Sequence, residues 1–208
     1  IADIDGDDLD DLYFCGLESD NQLYRNLGNF RFEAVSDQPE IRCSDQASTG
    51  ALFADVDGDG DSDLLVNGIR SGTRLFLNDG EGKFREETDA WGLRNQRGST
   101  SMTMADVNGD GWLDLYVVNY RNATMRDEPD SPFDVKIKDG QYELVTYRGR
   151  PGNSPDLVGR FSFDRQAGVM ENGEADRLFL NTGGGSFQAV DWDEGIFIDS
   201  DRKAMSPP

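Results

Sequence analysis

Apolar residues in this chain come in short runs, with glycine, asparagine or acid within two residues of the end of each. Leu12-Tyr13-Phe14, Leu23-Tyr24, Ala51-Leu52-Phe53, Leu64-Leu65-Val66, Leu75-Phe76-Leu77 and Leu115-Tyr116-Val117 all have this form. Short runs rich in branched and aromatic side chains predict β-strands, and no segment holds a 3.6-residue period long enough for a helix. The runs also recur. An acidic block begins at Asp3, Asp55 and Asp106, about 50 residues apart, and an apolar run follows each block at once. Four short strands per unit at this spacing predict an all-β chain, a β-propeller of four-stranded blades; a solenoid is the rival, but its repeats run shorter.

A second block keeps a fixed distance from the first. Asn26, Asn78 and Asn181 each have glycine two residues on (Gly28, Gly80, Gly183) and phenylalanine six residues on (Phe32, Phe84, Phe187). Each reads as a strand, a glycine turn and a strand. The resulting blades are 1–47, 48–99 and 100–190, with 191–208 opening another. The first blade is expected to be incomplete at its N-terminal side. Blade three carries an insertion at 121–173. Within it Val135–Lys138 and Gln141–Val145 flank Asp139-Gly140, a dipeptide suited to a type I′ hairpin turn. With Pro129, Pro132, Pro151 and Pro155 around it, the rest of the insertion is expected to be irregular loop, and excursions of this length are often functional.

The acidic blocks carry the candidate chemistry. Crowded carboxylates need a cation among them, and a loop offering oxygens at alternate positions suits calcium, which takes six to eight oxygen ligands. The expected ligands are Asp3, Asp5, Asp7 and Asp11 with the Leu9 carbonyl, then Asp55, Asp57, Asp59 and Asp63 with the Asp61 carbonyl. The third set is Asp106, Asn108, Asp110 and Asp114 with the Trp112 carbonyl. Leu9 and Trp112 favour a backbone ligand at position 7, since neither side chain can bind a hard ion. An EF-hand needs glutamate at position 12 and a helix after it; here position 12 is Phe14, Val66 or Val117 in a strand-like run, which excludes that motif. Magnesium prefers rigid, water-rich shells and fits less well. Position 6 is Gly60 and Gly111 but Asp8 in the first loop, so that site is expected to be the weakest.

Composition narrows the function. Asp plus Glu number 41 against 20 for Lys plus Arg, a formal charge of -21, which opposes binding to nucleic acid or an anionic membrane. Hydrophobic residues at 36% still suffice for a core. No apolar stretch approaches the roughly 20 residues of a membrane span. The chain starts inside a motif with no signal peptide in view, so the natural start is expected upstream. Histidine is absent, which removes His-based triads and His-ligated zinc. Cys15 and Cys43 are compatible with a disulfide closing roughly 30 residues, worth on the order of 3–4 kcal/mol, or with two buried thiols; the sequence does not choose. Asn122-Ala123-Thr124 is a glycosylation sequon, meaningful only in a eukaryotic secretory pathway.

Ala54-Asp55-Val56-Asp57-Gly58-Asp59-Gly60-Asp61-Ser62-Asp63-Leu64-Leu65-Val66 resembles the FG-GAP/VCBS repeat of integrin α-subunit propellers and their bacterial relatives. Together with the Asn-x-Gly-x-x-x-Phe blocks, Arg126-Asp127-Glu128-Pro129 and Gly173–Asn181 are similar to the cartilage acidic protein, or ASPIC/UnbV-type, family. The resemblance implies a seven-bladed ring, of which about three blades are present, export from the cell, and one structural calcium per loop-bearing blade. It also implies a binding, adhesion or scaffold module at the cell surface, or in the periplasm of a bacterium. Its partner would be a protein or a glycan. Assembly with other copies, as in a surface layer or filament, is an alternative. A polysaccharide lyase or hydrolase is another, with Glu171 and Glu174 as the least arbitrary acid pair. Arg148, Arg150 and Arg160 could hold a carboxylate or acidic glycan, or dock the insertion onto the acidic propeller.

Overall fold

The computed structural model describes residues 1–127, 130, 132–164 and 168–190. The segment expected to open a further blade, 191–208, lies outside them. The chain divides into two units: Ile1–Tyr120 with the chain from Ala175 onward, and the insertion Arg121–Glu174. Among the described residues, regular structure is antiparallel strand except for one 3-10 turn at Glu40–Arg42. No helix there is long and apolar enough to cross a membrane.

The first unit is three sheets. β1 (Leu12–Phe14), β2 (Gln22–Asn26) and β3 (Phe32–Ala34) form the first. The second is a four-stranded meander of β4 (Ala47–Ala54), β5 (Asp63–Ile69), β6 (Gly72–Asn78) and β7 (Phe84–Glu86). β8 (Gly98–Ala105) and β9 (Asp114–Tyr120) begin the third. Five strands of the insertion then intervene: β10 (Phe133–Lys138), β11 (Gln141–Tyr147), β12 (Arg150–Pro151), β13 (Phe161–Asp164) and β14 (Gly168–Glu171). β15 (Arg177–Asn181) and β16 (Phe187–Ala189) complete the sheet in the order β16-β15-β9-β8. The architecture is propeller-like, with each glycine turn closing a strand pair.

Period-2 alternation explains how the sheets stack. Along β5, Leu64 and Val66 join Ile4, Leu23, Ile41, Cys43, Phe76 and Phe84 in a core against the first sheet. Leu65 points the other way, into a core with Leu75, Val56, Leu115, Val117 and Phe179 against the third sheet. A central strand covered on both faces has to be apolar on both, which is why Leu64-Leu65-Val66 is a continuous run and not an alternating one. All three are fully buried, each worth roughly 1.5–3 kcal/mol relative to exposure. β4 and β8 each carry a bulge at the same place, between Ser48 and Gly50 and between Ser99 and Ser101. Thr49 lies at the first bulge and donates its hydroxyl to the Ser99 carbonyl at 2.6 Å, joining the second sheet to the third.

Inside the insertion, Asp139 (φ 52°) and Gly140 (φ 82°) both adopt left-handed backbone, as a type I′ turn requires. The expectation of irregular loop elsewhere is corrected: β13 and β14 pair as a second hairpin, and β12 adds to β11. Strands of two to four residues are too short to show a period. Their support is tertiary, since Phe161 packs edge-on to Phe133 at 5.1 Å and against Tyr147 at 4.8 Å.

Candidate metal centre

Each acidic loop is a tight turn wound around its position-1 aspartate. Asp3 accepts backbone N–H bonds from Gly6 and Asp8 at 2.8 Å, with longer ones from Asp5 and Asp7. Asp55 accepts from Gly58 and Gly60 at 2.7 and 3.0 Å. Asp106 accepts from Gly109, Asp110 and Gly111. At Asp3 burial acts against ionisation but the N–H bonds outweigh it, and the carboxyl lies below its ordinary range. At Asp106 the Gly111 N–H leads and the direction is the same. Left-handed backbone is needed at position 6 to aim these donors inward. Gly60 (φ 97°), Gly111 (φ 93°) and Asp8 (φ 64°) supply it.

Position 9 is the most enclosed acid. Asp11 and Asp63 have no exposed surface, and Asp114 is 1% exposed. One oxygen of each takes the position-2 N–H of its own loop, from Ile4, Val56 and Val107. The other takes the N–H of the repeat asparagine, Asn26, Asn78 and Asn181, at 2.7 to 2.9 Å. The carboxylate thus locks the loop to the strand beyond the hairpin. Burial pushes Asp63 up to about 7 against the pull of those two N–H groups, and the charges of Asp57 and Asp59 add to the rise. Burial followed by the Asp59 charge raises Asp57 as well.

In the first two loops the carboxylates at positions 1, 3 and 9 converge: one oxygen each from Asp3, Asp5 and Asp11, and from Asp55, Asp57 and Asp63, lie within 4.8 Å of one another. The position-5 acids stand outside these triads. Asp7, Asp59 and Asp110 instead accept the position-7 N–H of Leu9, Asp61 and Trp112. In the third loop position 3 is Asn108, whose amide donates to Asp110 at 2.8 Å. The position-7 side chains turn outward over the glycine of the asparagine block. A Cβ placed on Gly28, Gly80 or Gly183 would meet Leu9, Asp61 or Trp112 respectively. The donor set is all oxygen, converging and net anionic. These features fit a hard divalent cation such as calcium, with the three carboxylates of each triad as its holders.

Sequence reasoning missed how the loops reach beyond their own blades. The Asn78 amide donates to the Ile4 carbonyl at 2.9 Å, and the Asn181 amide to the Val56 carbonyl at 2.8 Å. Ile4 and Val56 are the position-2 residues of the preceding blade's loop, and their side chains sit in the core of the following blade. The fixed Asn-x-Gly spacing was the visible signal, but it reads equally well as a turn.

Several other candidates have internal partners. Arg150 pairs with Asp156 at 2.5 Å. Arg160 pairs with Glu171 at 2.6 Å and lies over the Tyr147 and Phe161 rings. Both arginines thus have acidic partners within the insertion. Glu171 also accepts the Met125 N–H. Glu174 Oε2 is buried without a hydrogen-bond partner. Cys15 and Cys43 are both thiols that pack at the same core; burial raises both, Cys43 to about 11.

No curated protein matches the chain. One solved structure similar to it is described as showing specific recognition of non-reducing terminal N-acetylglucosamine by an Agrocybe aegerita lectin. The identity is 18%, with a TM-score of 0.31 over 88% of this chain and 65% of that one. The model of the FG-GAP-like repeat matches twice in overlapping registers, over residues 3–66 and 55–117. Those spans contain all three acidic loops and more than half of the sequence, and the chain belongs to the FG-GAP-like repeat family.

Proposed function

We propose that this chain is a calcium-stabilised binding or adhesion propeller working outside the cell, in which the ions are structural. The observation that carries the reading is the buried position-9 aspartate. Each takes two backbone N–H bonds from separate segments, and in the first two loops each converges with two further carboxylates. A cation there neutralises acids that otherwise repel, and its binding free energy becomes folding free energy. Extracellular modules bind calcium at about 10⁻⁴–10⁻³ M, which suits an exported protein. In this reading the partner is a protein or glycan, and the chain is a binder rather than an enzyme.

Thermal melting in calcium, magnesium and EDTA tests this. Each occupied site adds about 2.7 kcal/mol at a hundredfold excess over its Kd, so calcium should raise Tm strongly and magnesium much less. A melt that is the same in EDTA and calcium refutes structural calcium. A glycan array probed with and without calcium then looks for the ligand.

A further inference from the structure

We propose that Arg25 is the resident cation of the first acidic loop, so that this loop takes calcium far more weakly than the other two. The inference rests on the calcium reading above and adds which site departs from it. Arg25 Nε lies 2.8 Å from Asp5 Oδ2, and Asp5 is the position-3 carboxylate of the triad formed with Asp3 and Asp11. The register is informative. Arg25 immediately precedes the repeat asparagine, where the other blades have Leu77 and Leu180. Leu77 packs against the apolar core shared by the second and third sheets. The Arg25 side chain keeps 38% of its surface exposed, and its Nε meets Asp5 as a charge pair without an aligned hydrogen bond. The second sheet leaves room for it: a Cβ on Gly82 would come within 3.3 Å of the Arg25 guanidinium.

The charge arithmetic favours displacement over coexistence. An ion seated among Asp3, Asp5 and Asp11 would share Asp5 with a fixed positive charge. Repulsion between a divalent ion and a guanidinium a few ångströms apart weakens binding by about tenfold to a hundredfold even where solvent screens much of it. The first loop does carry two extra acids, Asp8 and Asp10, but both are exposed and therefore screened. Asp8 also occupies the left-handed position with φ 64°, where glycine is strain-free. An arginine in the loop has a structural consequence: the turn that offers the Ile4 carbonyl to Asn78 stays neutralised when calcium is withdrawn, whereas the Val56 turn does not.

The test is a calcium titration of the whole chain followed by amide NMR, reading Gly6, Gly58 and Gly109 as reporters of the three loops. In the unaltered protein Gly58 and Gly109 should shift together, and Gly6 only at calcium at least tenfold higher. In Arg25→Leu, Gly6 should move to within about threefold of the others, and the apparent stoichiometry by calorimetry should rise from two sites to three. The assignment is overturned if Gly6 responds alongside the other two in the unaltered protein, or if Arg25→Leu leaves its midpoint unmoved. If Arg25→Leu does not fold, the order of filling in the unaltered chain still decides. A lack of response at all three glycines removes the calcium reading, and this assignment with it.

Discussion

The two asparagine amides that cross between blades allow a test with an internal control. Asn181→Ala deletes the bond to the Val56 carbonyl and the bond its Oδ1 accepts from Gly183. Val56 and Asn181 are each 1% exposed, so water cannot replace what is lost. An unpaired buried carbonyl costs about 1–3 kcal/mol, and the turn bond adds about 0.5–1.5, giving a loss of about 2–4 kcal/mol. Asn78→Ala should cost a similar amount, since its amide donates to Ile4 and more weakly to Ser62. Asn26→Ala is the control. Its amide donates to Asp10 of its own blade and its Oδ1 accepts from Gly28, at a place where Asp10 is exposed. Water can take over there, and the loss should be about 0.5–1 kcal/mol.

Urea midpoints for the three variants, measured at saturating calcium, give the comparison. The crossing asparagines should cost about 1.5–3 kcal/mol more than the control, a factor of roughly ten to a hundred in the unfolding equilibrium. Equal losses within about 0.5 kcal/mol would show that the asparagine serves only its own turn, and the inter-blade role would fail. A second readout follows from geometry. Val56 lies between Asp55 and Asp57, so Asn181→Ala should also loosen calcium at the second loop while leaving the third unaffected.

Two further outcomes follow. Gly58 and Gly109 share a left-handed backbone, φ 79° and 78°, but a Cβ on Gly58 would sit 2.7 Å from the Trp112 ring while one on Gly109 meets nothing within 4 Å. Gly109→Ala should therefore cost about 1–2 kcal/mol from backbone strain alone, and Gly58→Ala about 1–3 kcal/mol more from overpacking; Trp112→Ala in the same chain should recover that excess, and failure to recover it contradicts the contact. In calcium-free buffer, Asp63 is held up near 7 by burial and then by its acidic neighbours, whereas the unfolded value is near 4. The folded state then binds more protons than the unfolded state between those values, so stability should rise as pH falls from about 8 to about 5. Calcium should abolish or invert this slope, and an apo protein whose urea midpoint falls on acidification across that window contradicts the burial of Asp63.

What the sequence revealed and what it hid divide along a physical line. Side-chain chemistry repeated at fixed spacing was legible: the acids, the left-handed glycines, the apolar runs and the hairpin at Asp139-Gly140. Partners of backbone groups were not, because any residue can offer an N–H or a carbonyl. Asp63 looks like a ligand in the sequence, and it converges with Asp55 and Asp57, yet both its oxygens also hold backbone N–H groups. Ile4 and Val56 look like fillers between acids. Each in fact carries an N–H to the position-9 carboxylate, a carbonyl to the next blade's asparagine, and a side chain in the next blade's core. Val107 holds the same place in the third loop and gives its N–H to Asp114 in the same way. The position-9 acid of one loop and the core of the next sheet thus meet at a single residue, Ile4 or Val56, so a substitution there should disturb both at once.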